Sequence, residues 1–463
     1  MKERGSATKT GKRFRLFGIT IYSRCIDGDS ETKYILGIPV TRRVIDQYGL
    51  RRYFMGICYR RKPRKSKPLK WRVHPPELPT EEYVRLKRSE PKEVLIVPAP
   101  GIGDYIIVRN YIRLITKSDK YRGYRFVLLC DVRNREFAEC LDSDVIDEFV
   151  ACKEAMPLRD VPLSLCEKVR KALMSDGLKK YYDTIILISF FINGAEQRQV
   201  VNHLLSRVSS RERIGFYYAW RKEKAQQYSH LTRAIPIWSK TNRLFLFDVL
   251  RDAIGRLLDQ KLEISHPIIE SAKITHANPV CSQEKYMVFN PCASADHRFL
   301  KMWHRNNWVE LLSFIKKEYG FRMILVCSEG ERDFAEKLKE EAAYEEIEID
   351  IMAGLSINSL LALLKNASFY VGLDSGIFHI AAAMGIKTLC LSSGQGFPRF
   401  LMGYNGRETV RVLYPRGWEH WFTCDLDESL SAGWPGDTHP INAIRVQEAV
   451  GACQSLLGAI EKH

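Results

Sequence analysis

The stretch that decides the fold is VGLDSGIFHIAAAMG, residues 371–385, followed by the apolar run TLCL at 388–391. Residues 369–373 (FYVGL) have strand length and composition, and Asp374-Ser375-Gly376 breaks the run. From Ile377 to Met384 the composition turns helical. Ala381, Ala382 and Ala383 are strong helix formers, and Gly385 stands where a helix stop is expected. The reading is strand, tight turn, helix, strand: one α/β unit. Backbone N–H groups at the start of such a helix lack intrahelical partners and carry partial positive charge, so they suit a phosphate. Gly376 lets such a ligand approach the backbone, and His379 lies about one turn further in, on the same side as Ser375 and Gly376. The turn alone is equally compatible with a plainer role, in which Asp374 or Ser375 caps a structural helix and His379 is a hydrogen-bonded core histidine.

Upstream of this unit the same alternation continues. Strands are expected at 286–290, 323–327 and 348–352, with helices at 306–319, 331–342 and 356–366. A second series lies nearer the N-terminus. It opens with strand 93–97 (EVLIV), a loop at 98–104 (PAPGIGD) and a helix at 105–116. Strands at 125–130, 184–188 and 213–216 follow, with helical segments at 133–140, 165–174 and 242–258. Such alternation is that of mostly parallel sheets covered by helices on both faces. Downstream of 391 the pattern loosens: 398–440 reads as loops around a mouth and 442–460 as a final amphipathic helix. The expected organisation is a basic extension at 1–75, a linker at 76–91 within the proline- and charge-rich 63–91, one α/β domain at 92–275, a second at 276–440, and a C-terminal helix at 441–463.

At 463 residues the chain has room for roughly two or three domains. No apolar run reaches the ~18 residues that span a bilayer. The basic N-terminus has no apolar signal core, so secretion is not expected. The 12 cysteines are scattered without a CxxC pair, which points to a reducing compartment and inert thiols. The net charge of +16 is unevenly placed: residues 1–74 hold 20 Lys/Arg against 5 Asp/Glu, so the remaining chain is close to neutral. The densest part is Arg60-Arg61-Lys62-Pro63-Arg64-Lys65-Ser66-Lys67. A segment of this kind seeks polyanions such as an anionic membrane or nucleic acid, or else is a solvated linker. It also holds a short repeat. Leu16-Phe17-Gly18-Ile19, Ile35-Leu36-Gly37-Ile38 and Phe54-Met55-Gly56-Ile57 recur at a spacing of about 19 residues, which suggests strands or hairpins bent at glycine.

Two tandem α/β domains, each with a glycine loop after a strand, suggest a ligand held between them. The ordered pieces Gly101-Ile102-Gly103-Asp104, Lys301-Met302-Trp303 with Trp308, Gly330-Glu331, Gly354-Leu355-Ser356 and Asp374-Ser375-Gly376-Ile377-Phe378-His379 resemble glycosyltransferase family 9, the lipopolysaccharide heptosyltransferases and their relatives. The resemblance covers about residues 92–395. It implies a GT-B fold of two facing Rossmann-like domains, with the acceptor in the first and the nucleotide-sugar donor in the second. It implies that Asp104 is the general base and that Lys301 contacts the donor diphosphate. Ser294 would donate to a phosphate, although the loop at 291–300 is longer than the family pattern and leaves the register of Ser294 and Lys301 open. Glu331 matches the acid that binds the ribose hydroxyls. Ser375 and Gly376 match the diphosphate-binding turn, Asp374 would reach the sugar or its phosphate, and His379 would orient the turn. Gly101 and Gly103 form the acceptor-side loop.

These roles suit inverting glycosyl transfer, which needs a base for the acceptor hydroxyl and cationic or dipolar groups for the departing nucleoside diphosphate. The donor by analogy is ADP-heptose, and the acceptor is a glycolipid or polysaccharide. No cofactor is expected. No metal is expected either, since Asp27-Gly28-Asp29 and Asp425-Leu426-Asp427 read as turns. The basic segment 1–74 would hold the enzyme at the cytoplasmic face of the inner membrane. The alternative is a GT-B scaffold without turnover that docks glycan or membrane. Nucleic acid is not expected, because no zinc finger, helix-turn-helix or RNA-binding signature is present. A dehydrogenase is disfavoured, since position 106 is Ile where GxGxxG needs glycine.

Overall fold

The computed structural model describes the backbone of residues 13–16, 19–27, 30–35, 38–46, 49–54 and 57–63, and then residues 92–98, 101–130, 132–151, 178–179, 181–188, 208–218, 231–237, 246–280, 284–293, 301–393, 402–404, 407–415 and 440–458. The chain forms two compact units, one of residues 1–71 with 220–222 and one of the rest. The linker expected at 76–91, the helix expected at 165–174 and most of the loops expected at 398–440 lie outside the described residues, as do Gly28, Asp29 and 425–427.

The first unit is an antiparallel meander. Its strands are β1 (Arg13–Leu16), β2 (Ile19–Asp27), β3 (Ser30–Ile35), β4 (Ile38–Asp46), β5 (Gly49–Phe54) and β6 (Ile57–Pro63), each paired with the next. The repeat has a topological meaning. Register partners Leu16↔Ile19, Ile35↔Ile38 and Phe54↔Ile57 leave two residues between strands, and the second of the two is Gly18, Gly37 or Gly56.

The second unit holds two parallel sheets. In the first lobe β7 (Glu93–Pro98), α1 (Ile102–Thr116), β8 (Arg125–Cys130), α2 (Val132–Asp142), β9 (Glu148–Ala151), β10 (Tyr181–Ile188), β11 (Ser209–Tyr218), β12 (Arg233–Ile237) and α3 (Leu246–Leu258) follow in order. The sheet runs β12-β11-β10-β7-β8-β9. In the second lobe come β13 (Tyr286–Asn290), α4 (Arg305–Tyr319), β14 (Arg322–Cys327), α5 (Arg332–Ala343), β15 (Ile349–Ala353), α6 (Ile357–Lys365), β16 (Phe369–Leu373), α7 (Gly376–Ala383), β17 (Thr388–Leu391), β18 (Val410–Leu413) and α8 (Val446–Leu457). That sheet runs β15-β14-β13-β16-β17-β18. Both are the doubly wound order of a Rossmann half-pair. Runs such as FVLLC, TIILI and MILVC are buried on both faces, as central parallel strands must be. The unexpected strands β9, β12 and β18 are four or five residues long and lie at sheet edges, and β12 contains Pro236. Short edge strands give little periodicity, and proline is tolerated there.

The lobes share one apolar cluster that includes Tyr105, Ile106 and Ile112 of α1 and Phe378, Ile380 and Ala381 of α7. A strap between them is gripped from both sides. The buried Arg109 of α1 donates to the carbonyl of Ile268 (2.8 Å), to the carbonyl of Leu141 (3.1 Å), to Glu270 (3.1 Å) and to Asp142 (3.0 Å). Asn110 exchanges two hydrogen bonds with Ile268. On the other side the Ile269 N–H donates to the carbonyl of Ala383, the last residue of α7. Arg113 and Tyr105 complete the partners of Asp142, and Arg113 with Lys273 holds the Asp144 carboxyl well below the usual carboxylate range.

Candidate functional site

Each parallel sheet reverses its strand order between its first and fourth strands, at β7/β10 and at β13/β16. Crevices at the carboxyl ends of strands flanking such a reversal are where α/β sheets bind ligands. The glycine loop follows β7 and the Asp374 turn follows β16. Both candidate segments therefore leave from switch points.

Helix α1 begins at Ile102, earlier than the expected 105, so Gly103 and Asp104 lie in its first turn and not in a loop. Gly101 makes this possible. As N-cap it takes φ 102°, a conformation costly for other residues, and its carbonyl accepts the Tyr105 N–H at 2.9 Å. A Cβ on Gly101 would come within 3.0 Å of Asp104 Oδ2, so the carboxylate leans back over the helix start. The partial positive charge there stabilises the ionised form of a carboxylate.

In the second lobe Ser375 caps α7 in extended conformation, and its carbonyl accepts the His379 N–H. Lys301 donates to the Asp374 carboxylate at 3.0 Å and to the Asp374 carbonyl at 3.2 Å, with both side chains about four-fifths covered. The His379 ring is buried, 3.3 Å from the Tyr404 hydroxyl through Nδ1 and 4.0 Å from Asp374 through Nε2. Burial pushes its pKa down to about 4; Asp374 pulls the other way and Lys301 adds a little to the lowering. The imidazole is therefore neutral near pH 7 and can orient the turn without adding charge. The Ser375 hydroxyl points to Asn290 Oδ1 at 3.5 Å, and Asn290 donates to the carbonyl of Val326. Gly372 is obligatory for packing, since the Tyr370 hydroxyl sits 2.2 Å from where its Cβ would be.

The two helix starts meet. A Cβ on Gly376 would stand 3.1 Å from Ile102 Cβ and 3.6 Å from the Gly103 nitrogen, and a Cβ on Gly103 would fall 2.7 Å from His379 Cδ2. Two positive helix ends thus converge at one seam, with Asp104 on one side and Lys301, Asp374, Ser375, Gly376 and His379 on the other. Glu331 lies after β14, at the carboxyl edge of the same sheet. There it closes a capping box, accepting from the Ser328 N–H (2.9 Å) and hydroxyl (2.8 Å). Ser294 lies outside the described residues. Asn290 and Tyr404 were missed from sequence. Asn290 had a signal, a polar residue closing the apolar run YMVFN, whereas Tyr404 lies in a stretch without periodicity. Among the described residues no group of three His, Cys, Asp or Glu could hold a metal ion.

Residues 201–415 match glycosyltransferase family 9 (heptosyltransferase). A comparison with curated protein sequences gives no match. Among solved structures, a glycosyltransferase family 9 protein from Veillonella parvula aligns with TM-score 0.59 at 13% identity, over 79% of this chain and 97% of its own. The ADP-heptose LPS heptosyltransferase II of E. coli aligns with TM-score 0.54 at 15% identity, over 79% and 98%. E. coli heptosyltransferase WaaC, solved with ADP, aligns with TM-score 0.52 at 19% identity, over 70% and 94%. These structures show the GT-B fold, and the family model that matches residues 201–415 is the one the sequence was read as resembling.

Proposed function

We propose that the chain is an inverting, metal-independent glycosyltransferase that moves a sugar from a nucleoside-diphosphate donor to a glycolipid or polysaccharide acceptor. The observation that carries this is the convergence of two helix N-termini, from the switch points of two Rossmann sheets, with a carboxylate on one side and a lysine on the other. Asp104 takes the proton of the acceptor hydroxyl. The oxygen attacks the anomeric carbon from the face opposite the leaving group, and the carbon–oxygen bond to phosphate breaks. The electron pair leaves on the diphosphate, which the α7 backbone N–H groups and Lys301 stabilise. Ser294 is proposed to donate to the same phosphates, Glu331 to take the ribose hydroxyls after exchanging its capping bonds, and Asp374 to meet the sugar. ADP-heptose is the first donor to test, because WaaC was solved with ADP and with a fluorinated ADP-heptose. The basic residues 1–74 are proposed to hold the enzyme on an anionic cytoplasmic membrane.

The test is a calorimetric and turnover screen with ADP-, GDP-, UDP- and dTDP-sugars on the parent and on Asp104→Asn. The variant is expected to bind the donor as the parent does and to lose transfer. Equal turnover by both removes Asp104 from the mechanism, and binding of none of the nucleotides removes the donor site.

A further inference from the structure

The meander carries information that the charge count alone does not. Within β2–β6, register and strand alternation sort the charged residues into two faces. Arg24, Lys33, Arg43, Arg52, Arg60 and Lys62 fall on one face, with Glu31 as the single acid in those strands on that side. Arg42, Arg51 and Arg61 fall on the other with Asp27 and Asp46, a net of +1 against +5, and there only Arg51↔Arg61 sets like charges opposite. On the first face like charges stand directly opposite: Arg24↔Lys33, Arg43↔Arg52 and Arg52↔Arg60. Such pairs destabilise a sheet unless an anion lies over them. They are also built into the repeat, since Arg24, Arg43 and Lys62 are each 19 residues apart, as are Lys33 and Arg52.

The strand ends are sorted as well. The β1–β2, β3–β4 and β5–β6 connections leave from one end, bounded by Leu16↔Ile19, Ile35↔Ile38 and Phe54↔Ile57. All six residues that bound this end are apolar. The opposite end pairs Asp27↔Ser30 and Asp46↔Gly49. A cationic face that runs down to an apolar rim matches a bilayer surface, where phosphates lie above the acyl boundary. A nucleic acid would use the face and have no use for the rim.

We propose that residues 13–63 dock on an anionic phospholipid surface. The apolar rim dips to the headgroup–acyl boundary, and the face carrying Arg43 and Arg52 lies against the phosphates. This rests on the membrane part of the proposed function and assigns its geometry. The experiment is co-sedimentation of the full chain with phosphatidylcholine vesicles, with and without phosphatidylglycerol. Arg43→Glu with Arg52→Glu is compared with the charge-matched Arg42→Glu with Arg51→Glu, and with Ile38→Asp plus Ile57→Asp at the rim. The first pair is expected to weaken binding to the anionic vesicles by about tenfold or more, and the matched pair several-fold less. The rim variant is expected to lose vesicle binding while its retention on duplex DNA stays unchanged. Far-ultraviolet circular dichroism of each variant serves as the folding control. Equal losses from both arginine pairs overturn the face assignment. Parent protein that ignores phosphatidylglycerol overturns the docking and leaves the Asp104 reading standing. Vesicle binding unaffected by the rim variant and abolished by competing DNA replaces the lipid with nucleic acid.

Discussion

Gly103→Ala probes the seam between the lobes with one added carbon. The new Cβ would lie 2.7 Å from His379 Cδ2, 3.3 Å from Nε2 and 3.4 Å from Cγ. The ring cannot simply swing away, because it is buried and packed between Phe378 and Tyr404, with ring centroids 5.1 and 5.7 Å distant. Either α1 retreats from α7 or the ring leaves its place, at about 1–3 kcal/mol for an overpacked site. The expected result is a loss of stability in that range in urea. Transfer is expected to fall more than donor binding, since retreat of α1 withdraws Asp104 from the second lobe. The control is the double variant with His379→Ala, which removes the obstructing ring. The pair is expected to be non-additive by about 1 kcal/mol or more, as for contacting residues. Additive effects, or a Gly103→Ala protein with parental stability and turnover, would refute the reasoning.

Arg109→Met deprives the fully buried Asp142 of one of its cations and leaves the carbonyls of Ile268 and Leu141 without that donor; the expected cost is about 3–5 kcal/mol by urea denaturation, and a cost within error contradicts the strap. His379 has a pKa near 4 when folded, against about 6.5 unfolded, so its contribution is fully present above pH ~6.5 and is lost as pH falls toward 4. The span is up to about 3 kcal/mol, and His379→Gln is expected to flatten that part of the stability-against-pH curve.

The central strands were legible because fully buried parallel strands print continuous apolar runs, as 93–97, 286–290 and 369–373 do. The sheet edges were not, since VRVL at 410–413 and EFVA at 148–151 are too short to show a period. The start of α1 was misplaced because Gly-Ile-Gly reads as a breaker, while Gly101 in fact supplies the cap from which the helix begins. The strand, turn and helix at 369–383 were legible from Asp374-Ser375-Gly376 and the alanines that follow. The turn's nearest long-range partners were not: Asn290 lies 85 positions from Ser375, and Tyr404 is 25 positions beyond His379. The strap held by Arg109 was invisible for the same reason, as its partners lie 32 to 161 positions away.

That strap fixes a fulcrum. Arg109 and Asn110 seize it near the middle of α1, while Asp104 stands five residues nearer the helix start, about 7.5 Å along the axis. A tilt of α1 of about 10° around the gripped point would sweep the carboxylate through roughly 1.3 Å, the difference between a made and a broken hydrogen bond. The helix acts as a short lever, with its handle in the chain that joins the lobes and its tip at the Asp104 carboxylate.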